Sequence, residues 1–455
     1  MTKILLRAGF SPLDSPQADQ IILENLIWEN TGNMLFPYSI MRILMREDTK
    51  ITAISVNRFF SAAQAAEWSR EYNCFVIPLA NAFRDSFLMQ LKYLTALIKK
   101  LTIPCIVIGV GIQTGTSGIK ETTQGFDRTV SEFVKAVLKK SSLLGVRGEF
   151  TAQYLKQLGF AEEKDFTVIG CPSMYLHGRE LPYRAVNELN ERSPVSVNCK
   201  IQISAKLNRF IFSSAKQFQH YTYVPQGIDD LLLLYAGVSV DREKFPRINK
   251  GYPWQLHSRI CASGHETGFT DVRSWLEFLK GVDFSFGTRI HGNIAAVLAG
   301  TPAFIFVPDG RILELARYHN IQHILAEDIK EDTDIFTIYE NADFSSVQQG
   351  HAQRFEHYLS FLEKNGLSHI YMDGDPYGVS PFDKIMERIP LAGPFMPLHK
   401  IPLKEQTVRL QTYYAFLKQM TQKHVSGMQK EKSLVALLPE PVRERMKQLF
   451  IRYMT

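Results

Sequence analysis

Short apolar runs alternate with longer amphipathic stretches over the first 190 residues or so of the chain. Runs of this kind are typical of parallel strands that are covered by helices on both faces. Six of them are predicted as strands: residues 3–7, 52–56, 75–79, 105–109, 143–147 and 167–170. Helical periodicity lies between them, as over residues 86–101 and 151–158. Strands alternating with helices predict βαβ units that form a parallel sheet.

A second series of the same kind follows a polar stretch at residues 187–194. Its predicted strands are residues 196–203, 221–224, 282–286 and 303–307, with helices over 228–235 and 274–280 between them. A long amphipathic pattern over 344–365 predicts a helix that closes this second domain. The fold class is therefore predicted as α/β, with two Rossmann-like domains that face a cleft in a GT-B-like arrangement. The predicted divisions are residues 1–190, residues 191–385, and a basic helical tail over residues 386–455.

The composition agrees with a soluble globular protein and excludes several other classes. Apolar residues make up 45% of the 455 positions and charged residues 22%. The five cysteines are scattered and odd in number, which favours a reducing compartment without a disulfide framework. The first residues lack the apolar core of a signal peptide, and no apolar run reaches the ~20 residues of a spanning helix. We therefore expect a cytoplasmic protein.

The positive charge is concentrated at the end of the chain. Residues 391–455 hold eleven Lys or Arg and four Glu, a charge of +7, so residues 1–390 carry −1 of the total of +6. A neutral body argues against nucleic-acid binding. Amphipathic patterns over 403–425 and 441–454 predict two helices in the tail. They could pack on the body, lie on an anionic membrane surface, or bind a partner.

The richest chemistry lies in residues 285–295, where a predicted strand runs through Gly287 and Thr288 into a predicted helix. Arg289 and His291 fall together at this turn. Ligands of open α/β sheets bind at the carboxyl ends of strands, and a helix N-terminus favours anions. An anionic small molecule is the expected ligand. The plainer alternative is that Arg289 caps a neighbouring helix and that His291 is a buried histidine with satisfied hydrogen bonds.

The run from Gly287 to Gly292, followed by residues 299–302, resembles the polysaccharide pyruvyltransferase family. Weaker similarities appear in the expected order along residues 25–365. They are Asn30-Thr31-Gly32-Asn33, Ile103-Pro104, Gly109-Val110-Gly111-Ile112, Gly145-Val146-Arg147, and residues 168–172.

The chain also departs from the family pattern, as an outlying member would. The family's early aspartate is Asn33 here, its triple-glycine turn is replaced by residues 79–82, and a lysine near Asp309 is replaced by Arg311. Asn33 cannot act as a base toward an acceptor hydroxyl. Glu149, Asp85 or Asp309 would have to take that part, or the reaction differs.

The resemblance implies an enzyme that transfers the pyruvyl group of phosphoenolpyruvate to a sugar and forms a ketal. It makes His291 the catalytic acid, with Arg289 beside it, and assigns substrate contacts to the residues Arg147, Asn33, Gly292, Arg311 and Asp309. No metal or cofactor is expected, since phosphoenolpyruvate enters as the donor substrate. The acceptor is a sugar or oligosaccharide of a surface polysaccharide or capsule, free or lipid-linked. A lipid-linked acceptor would place the protein on the inner face of the cytoplasmic membrane, in contact through residues 391–455.

Two other functions fit the same architecture. A glycosyltransferase would use a nucleotide sugar, although no convincing carboxylate is placed to hold a donor ribose. A catalytically inactive scaffold of polysaccharide assembly would explain the replacements at Asn33 and at residues 79–82. The Gly- and Thr-rich segment 114–125 could be a mobile lid, an acceptor contact or an ordinary flexible connection.

Overall fold

A computed structural model of the chain describes residues 1–119, 125–186, 188–249, 251–372 and 378–427. The strands before residue 190 are β1 (Thr2–Arg7), β2 (Thr49–Ile54), β3 (Cys74–Pro78), β4 (Asn81–Phe83), β5 (Cys105–Ile108), β6 (Gly111–Ile112), β7 (Leu144–Val146) and β8 (Phe166–Val168). The helices of this first half are α1 (Ala18–Leu23), α2 (Leu35–Leu44), α3 (Ala62–Glu71), α4 (Leu88–Lys100), α5 (Asp127–Leu138) and α6 (Glu149–Gln157).

The remaining elements follow residue 190. The strands are β9 (Val195–Asn198), β10 (Tyr221–Tyr223), β11 (Phe284–Gly287), β12 (Ala303–Val307) and β13 (His323–Leu325). The helices are α7 (Ala205–Ala215), α8 (Ile228–Ala236), α9 (Arg259–Ser263), α10 (Val272–Lys280), α11 (Ile290–Leu298), α12 (Gly310–Tyr318), α13 (Ile335–Glu340), α14 (His351–Lys364), α15 (Pro381–Arg388) and α16 (Leu403–Gly427).

Both halves are built on parallel sheets with the same strand order. In the first half the order is β2-β1-β3-β5, and the β7–β8 pair continues it through a bridge between Val110 and Val146. In the second half the order is β10-β9-β11-β12-β13. The order therefore reverses between β1 and β3 in one sheet and between β9 and β11 in the other. Ligands of doubly wound sheets bind at this switch point, outside the carboxyl ends of the strands.

This architecture confirms the predicted α/β fold, in which two Rossmann-like halves form a GT-B-like arrangement. Each strand of the first sheet alternates its side chains between two cores. Leu5 and Ile77 pack with α4 and α5 on one face. Ile4, Leu6 and Ile106 pack with α2 on the other face. Burial on both faces explains why these strands read as continuous apolar runs in the sequence.

The predicted helix over 344–365 differs from the structure in two ways. A 3₁₀ turn covers Phe344–Gln348, and the helix proper begins only at His351, after Gly350 takes a left-handed conformation with φ +69°. In addition, α14 closes the first half and not the second. Tyr358 and Phe355 join the core beneath Ile4 and Ile106, and Tyr358 stacks on Tyr175 at 4.7 Å.

Helix α15 continues this return, since Phe382 and Met386 are buried in the same core. The chain thus crosses to the second sheet and comes back. The residue numbers that divide the domains, 190 and 385, stay predictions, and part of the predicted linker, residue 187, lies outside the described residues.

The predicted helix over 403–425 is confirmed as α16. Tyr413 packs against the core that α8 and α11 share, and the guanidinium of Arg409 lies 5.3 Å from the ring of Tyr235. The second predicted tail helix, over 441–454, lies outside the described residues. None of the described helices is long and apolar enough to cross a membrane.

Candidate active site between the two sheets

The turn after β11 places Arg289 and His291 at the switch point of the second sheet. Gly287 has φ +150°, and a Cβ there would stand 1.8 Å from the carbonyl oxygen of Asn198. Only glycine allows β11 to approach the end of β9 so closely. The side-chain oxygen of Asn198 in turn accepts the backbone N–H of Arg289 at 2.7 Å. The neighbouring strand therefore fixes the turn that carries both candidate residues.

The Arg289 side chain is held from two sides and is 19% exposed. Its Nε donates to the carbonyl of Cys199 at 3.3 Å, and Nη2 lies 4.0 Å from Oδ2 of Asp230. Asp230 accepts the hydroxyl of Tyr252 at 2.8 Å. Burial raises the pKa of Asp230 to about 6, although the positive charge of Arg289 opposes this. The guanidinium is thereby positioned while part of its donor edge stays open.

His291 lies at the first turn of α11 and is almost fully enclosed. Its ring contacts Phe36 edge-on, with centroids 5.1 Å apart, and its Nε2 is buried without a hydrogen-bond partner. Burial lowers the pKa of His291 well below its usual value, and Arg147, Arg311 and Arg289 lower it further. This environment therefore favours the neutral form of the imidazole. An anion bound among the arginines would cancel part of that repulsion.

The first half reaches His291 through the turn at residues 28–33. The backbone N–H of Thr31 donates to the carbonyl of Gln226 at 2.9 Å, and that of Ile228 donates to Glu29 at 3.1 Å. Asn33 lies inside this turn, and its side-chain hydrogen bonds go to the turn and not to His291. Its amide nitrogen donates to the carbonyls of Ile27 and Trp28 at 2.9 and 3.0 Å. The structure therefore gives Asn33 a contact that shapes the turn.

Arg147 follows β7 and approaches the same place from the first half. It is 1% exposed, and its Nε and Nη2 are buried without partners. Its guanidinium carbon lies 5.4 Å from the ring of Phe36, the residue that also contacts His291. Burial lowers the pKa of Arg147, while Cys171 and Glu314 act in the opposite direction. Two unsatisfied donors on a buried cation mark a place for an anion.

Glu314 of α12 joins the two halves beside Arg147. Its oxygens accept the backbone N–H and the hydroxyl of Thr151, both at 3.0 Å, at the N-terminus of α6. Burial raises the pKa of Glu314 to about 7. Sequence reasoning had no ground to select this carboxyl, because a lone glutamate in a helix pattern is usually exposed.

Asp309 and Arg311 lie at the start of α12, the helix that also carries Glu314. Asp309 caps the helix by accepting the N–H of Ile312 at 3.2 Å and pairs with Arg311 at 3.3 Å. Lys200, which follows β9, lies 3.5 Å from the same carboxylate. Burial acts to raise the pKa of Asp309, but Arg311 and Lys200 outweigh it and the pKa is lowered. Asp309 is thus an ionised partner of two cations.

Lys200 was not selected from the sequence, where it falls inside the strand predicted over residues 196–203. It stands two residues after the end of β9, which borders the switch point together with β11. Its backbone N–H donates to the hydroxyl of Thr288 at 2.9 Å, so it is tied to the turn that carries Arg289. Strand order, which decides this placement, cannot be read from one sequence.

The remaining candidates are Gly292 and the three carboxylates considered as the base, and they do not all lie at the site. Gly292 lets the start of α11 approach Gln226, whose side-chain nitrogen would stand 2.4 Å from a Cβ at that position. Of the three candidate bases, Glu149 is exposed and bonds to Gln153, and Asp85 is exposed, so only Asp309 lies within the cationic cluster. The described residues contain no group of three His, Cys, Asp or Glu side chains that could hold a metal ion.

The segment 114–125 is described only up to residue 119 and at Gly125. Thr114 accepts the backbone N–H of Gly310 at 2.9 Å, and a Cβ on Gly310 would stand 2.1 Å from the carbonyl oxygen of Gly115. This part of the segment therefore packs on the start of α12. The rest of the segment, residues 120–124, lies outside the described residues.

Solved structures with a similar course of the chain come from several organisms. A UDP-GlcNAc 2-epimerase of Methanocaldococcus jannaschii, in complex with UDP-GlcNAc and UDP, is 13% identical, with a TM-score of 0.41 over 80% of this chain and 99% of that chain. HepE of Anabaena, in complex with UDP, is 10% identical, with a TM-score of 0.40 over 80% and 98%. A functionally uncharacterised protein of Klebsiella pneumoniae is 11% identical, with a TM-score of 0.39 over 71% and 92%.

No curated protein sequence matches the chain. The profile of one protein family does match, under the description polysaccharide pyruvyl transferase, and it covers residues 30–310. This segment is more than half of the chain and includes every candidate residue from Asn33 to Asp309, ending just before Arg311. The chain therefore belongs to the polysaccharide pyruvyl transferase family.

Proposed function

We propose that the protein transfers the pyruvyl group of phosphoenolpyruvate to a sugar of a surface polysaccharide or of its lipid-linked precursor, forming a ketal. The observation that carries the proposal is the cluster of cations around His291. Arg147 comes from the first half and Arg289 and Arg311 come from the second, where Lys200 shares the carboxylate of Asp309 with Arg311. Phosphoenolpyruvate carries a phosphate and a carboxylate on one small molecule, and guanidinium groups bind both in a bidentate manner.

The reaction begins with a proton added to the methylene carbon of the donor. In the proposal His291 supplies that proton, which leaves a cationic carbon next to the carboxylate and the phosphate ester oxygen. One acceptor hydroxyl then forms a C–O bond and gives up its proton. The C–O bond to phosphate breaks, a second hydroxyl closes the ring, and its proton is also released. One of the two released protons restores His291 and the other leaves with phosphate, so atoms and charge balance.

An environment that favours the neutral imidazole is compatible with this role. The three arginines that lower the pKa of His291 are the groups that a bound trianion would neutralise. Donor binding would therefore raise the pKa of His291 and let it take up the proton that it later delivers. Asp309 remains the candidate base, since it alone of the three predicted carboxylates lies in the cluster.

Donor binding is tested by calorimetry with phosphoenolpyruvate on the wild-type protein and on two variants. Arg311→Ala removes one cation of the cluster, whereas Arg317→Ala removes an exposed arginine on the same helix. We expect a loss of about tenfold or more in affinity for Arg311→Ala, the size of a charge-assisted hydrogen bond, and no change for Arg317→Ala. Arg289→Lys, which keeps the charge but loses the planar fork, should weaken donor binding by about 1–3 kcal/mol.

The same titration separates the other candidate functions. Binding of a UDP- or GDP-sugar without binding of phosphoenolpyruvate would favour a glycosyltransferase. A folded protein that binds neither donor, with or without an oligosaccharide present, would favour the inactive scaffold.

We also propose that the protein works at the inner face of the cytoplasmic membrane when its acceptor is lipid-linked. Helix α16 supports this, because Leu403, Val408, Tyr414 and Met420 are exposed large apolar side chains within the basic tail. The full-length protein should co-sediment with vesicles that contain anionic phospholipid. Equal binding to neutral vesicles, or none to either, would contradict the proposal.

A further inference from the structure

The first sheet has a switch point of its own, and an arginine marks it. Arg7 is the last residue of β1, and the strand order reverses between β1 and β3. Its Nη1 donates to the carbonyl of Pro78, at the end of β3, at 3.1 Å. Arg7 therefore stands in the first half at the place where Arg289 and Lys200 stand in the second.

A second arginine, Arg84, lies over an aromatic ring that Arg7 also contacts. The guanidinium carbon of Arg7 is 4.1 Å from the centre of the Trp28 ring and 5.9 Å from that of Phe87. The guanidinium carbon of Arg84 is 5.8 Å from the centre of Phe87. Trp28, Arg84 and Phe87 are partly exposed, whereas Arg7 is 7% exposed beneath them. Two cations thus share one aromatic surface.

Neither cation is neutralised by a carboxylate in the described part of the chain. Among the described residues no ion pair within 4 Å involves Arg7 or Arg84, and the Nε atoms of both are buried without a partner. The negative charge of Glu29 acts on Arg84, but the Glu29 side chain is 60% exposed and pairs with Lys244. Burial alone lowers the pKa of Arg7 to about 9. A buried cation without a counter-ion is costly, which points to an anionic ligand that supplies one.

The backbone that presents Trp28 is strained. Asn25, Trp28 and Glu29 all have positive φ, at 50°, 47° and 75°, although none is glycine. Conformations of this kind cost of order 1–3 kcal/mol each and are found where the surrounding structure over-determines them, often at ligand sites. Here the two bonds from Asn33 to the carbonyls of Ile27 and Trp28 hold the turn.

The pair of Arg7 and Arg84 is linked electrostatically to the cation cluster that is proposed to bind phosphoenolpyruvate. Burial lowers the pKa of Arg84, and the charge of Arg311 in the second half lowers it further, so Arg84 lies within electrostatic range of Arg311. Arg7 and Trp28 precede residue 30, where the segment matched by the family profile begins. The pair is therefore partly built from residues outside the matched segment.

We propose that Arg7 and Arg84 bind an anionic group of the acceptor, either a sugar carboxylate or the diphosphate that links a sugar to a lipid. This inference rests on the proposed function, since it names the acceptor class of the same cleft. The planar donor edges of two guanidinium groups suit both oxyanions. The protein thus selects acidic acceptors with its first half and binds the donor mainly with its second.

The test compares anionic with neutral acceptor probes in the presence of phosphoenolpyruvate. Methyl β-glucuronide and a farnesyl diphosphate-linked glucose are the anionic probes, and methyl β-glucoside is the neutral one. Binding is followed by ligand-observed NMR on the full-length wild type, Arg7→Gln and Arg84→Gln. Arg58→Gln is the matched control, because Arg58 also lies over an aromatic ring, that of Phe60 at 5.5 Å, but on the exposed surface.

We expect the wild type and Arg58→Gln to bind one anionic probe at least tenfold more tightly than the glucoside. Arg84→Gln should lose this preference while it keeps its affinity for phosphoenolpyruvate and for the glucoside. Whichever anionic probe is preferred identifies the source of the oxyanion. Arg84→Gln keeps the test decisive even if Arg7→Gln does not fold.

Two outcomes would overturn the inference. The first is a wild type that binds both anionic probes no better than the glucoside. The second is a loss of phosphoenolpyruvate affinity in Arg84→Gln as large as that in Arg311→Ala, which would assign the pair to the donor. Failure of the proposed function has a different signature, because the wild type would then not bind phosphoenolpyruvate at all.

Discussion

The backbone of Gly32 lies directly against the imidazole of His291, one residue from each half of the protein. A Cβ added to Gly32 would stand 2.4 Å from the Cβ of His291 and 2.5 Å from its Nδ1. Distances under 3 Å cannot be kept, so the turn or the imidazole would have to move. The turn at residues 28–33 therefore sets the position of the candidate acid.

Gly32→Ala should displace His291 and impair transfer more than it impairs folding. We expect at least a tenfold fall in kcat, since a displacement of about 1 Å at a reacting group can cost 10²-fold. Overpacking should also lower stability by about 1–3 kcal/mol. The measurements are steady-state phosphate release and thermal unfolding. Gly393→Ala is the control because a Cβ there meets nothing within 4 Å, and equal effects of the two changes would contradict the prediction.

The protonation of His291 should depend on the donor. Burial and three arginines lower the pKa of His291 in the free protein, so its imidazole should titrate below the usual range of histidine. Phosphoenolpyruvate should raise that pKa and shift the titration to higher pH. The measurement is a ¹⁵N NMR titration of the imidazole groups with and without phosphoenolpyruvate, and His291→Asn assigns the signal. A titration that the donor leaves unchanged would remove the proposed proton uptake.

Asn33→Asp should damage the protein, although it restores the aspartate of the family pattern. The amide nitrogen of Asn33 donates to two carbonyls, and a carboxylate at this position can only accept. Two lost bonds and a repulsive contact should cost about 2–4 kcal/mol of stability. Chemical denaturation measures this, with Asn341→Asp, an exposed helix-end asparagine, as the comparison. A stable and more active Asn33→Asp would show instead that Asn33 replaces a base.

Glu314 should make stability depend on pH near neutrality. Its pKa in the folded protein is raised to about 7, above the ordinary value of 4.5, so the folded state binds its proton more tightly. That contribution is present below pH 4.5 and is lost as pH rises through 7. Glu314→Gln cannot ionise, so its free energy of unfolding should fall less than that of the wild type between pH 5 and 8. Denaturant titrations at both pH values measure the difference.

The control for this experiment is Glu340→Gln, an exposed glutamate at the end of α13. It should follow the wild type at both pH values. If Glu314→Gln shows the same pH dependence as the wild type, the carboxyl does not hold its proton in the folded state.

The sequence predicted the two sheets and the turn with Arg289 and His291 because these features are local. Apolar runs mark the strands, and the glycine before Arg289 marks the turn. Lys200 and Glu314 were missed because their importance comes from packing. Lys200 matters only once β9 and β11 are neighbours, and Glu314 only once α12 meets the N-terminus of α6.

The prediction of one uninterrupted helix over 344–365 was wrong for a similar reason. Periodicity shows that a helix has an apolar face but not which sheet that face covers. The left-handed Gly350 and the return of α14 to the first sheet depend on the three-dimensional path. The substrate contact assigned to Asn33 from a motif stays a prediction, and the structure adds that its side-chain amide is bonded to its own turn.

The return of α14 and α15 has a consequence for how the protein is made. The face of the first sheet that carries Ile4, Leu6 and Ile106 is completed only by Phe355, Tyr358 and Phe382. On the ribosome these residues emerge roughly 190–210 residues after β8, a delay of roughly 10–40 s at ordinary elongation rates. During this time the apolar surface of the nascent first half stays uncovered. A fragment that ends near residue 190 should therefore aggregate when it is expressed alone.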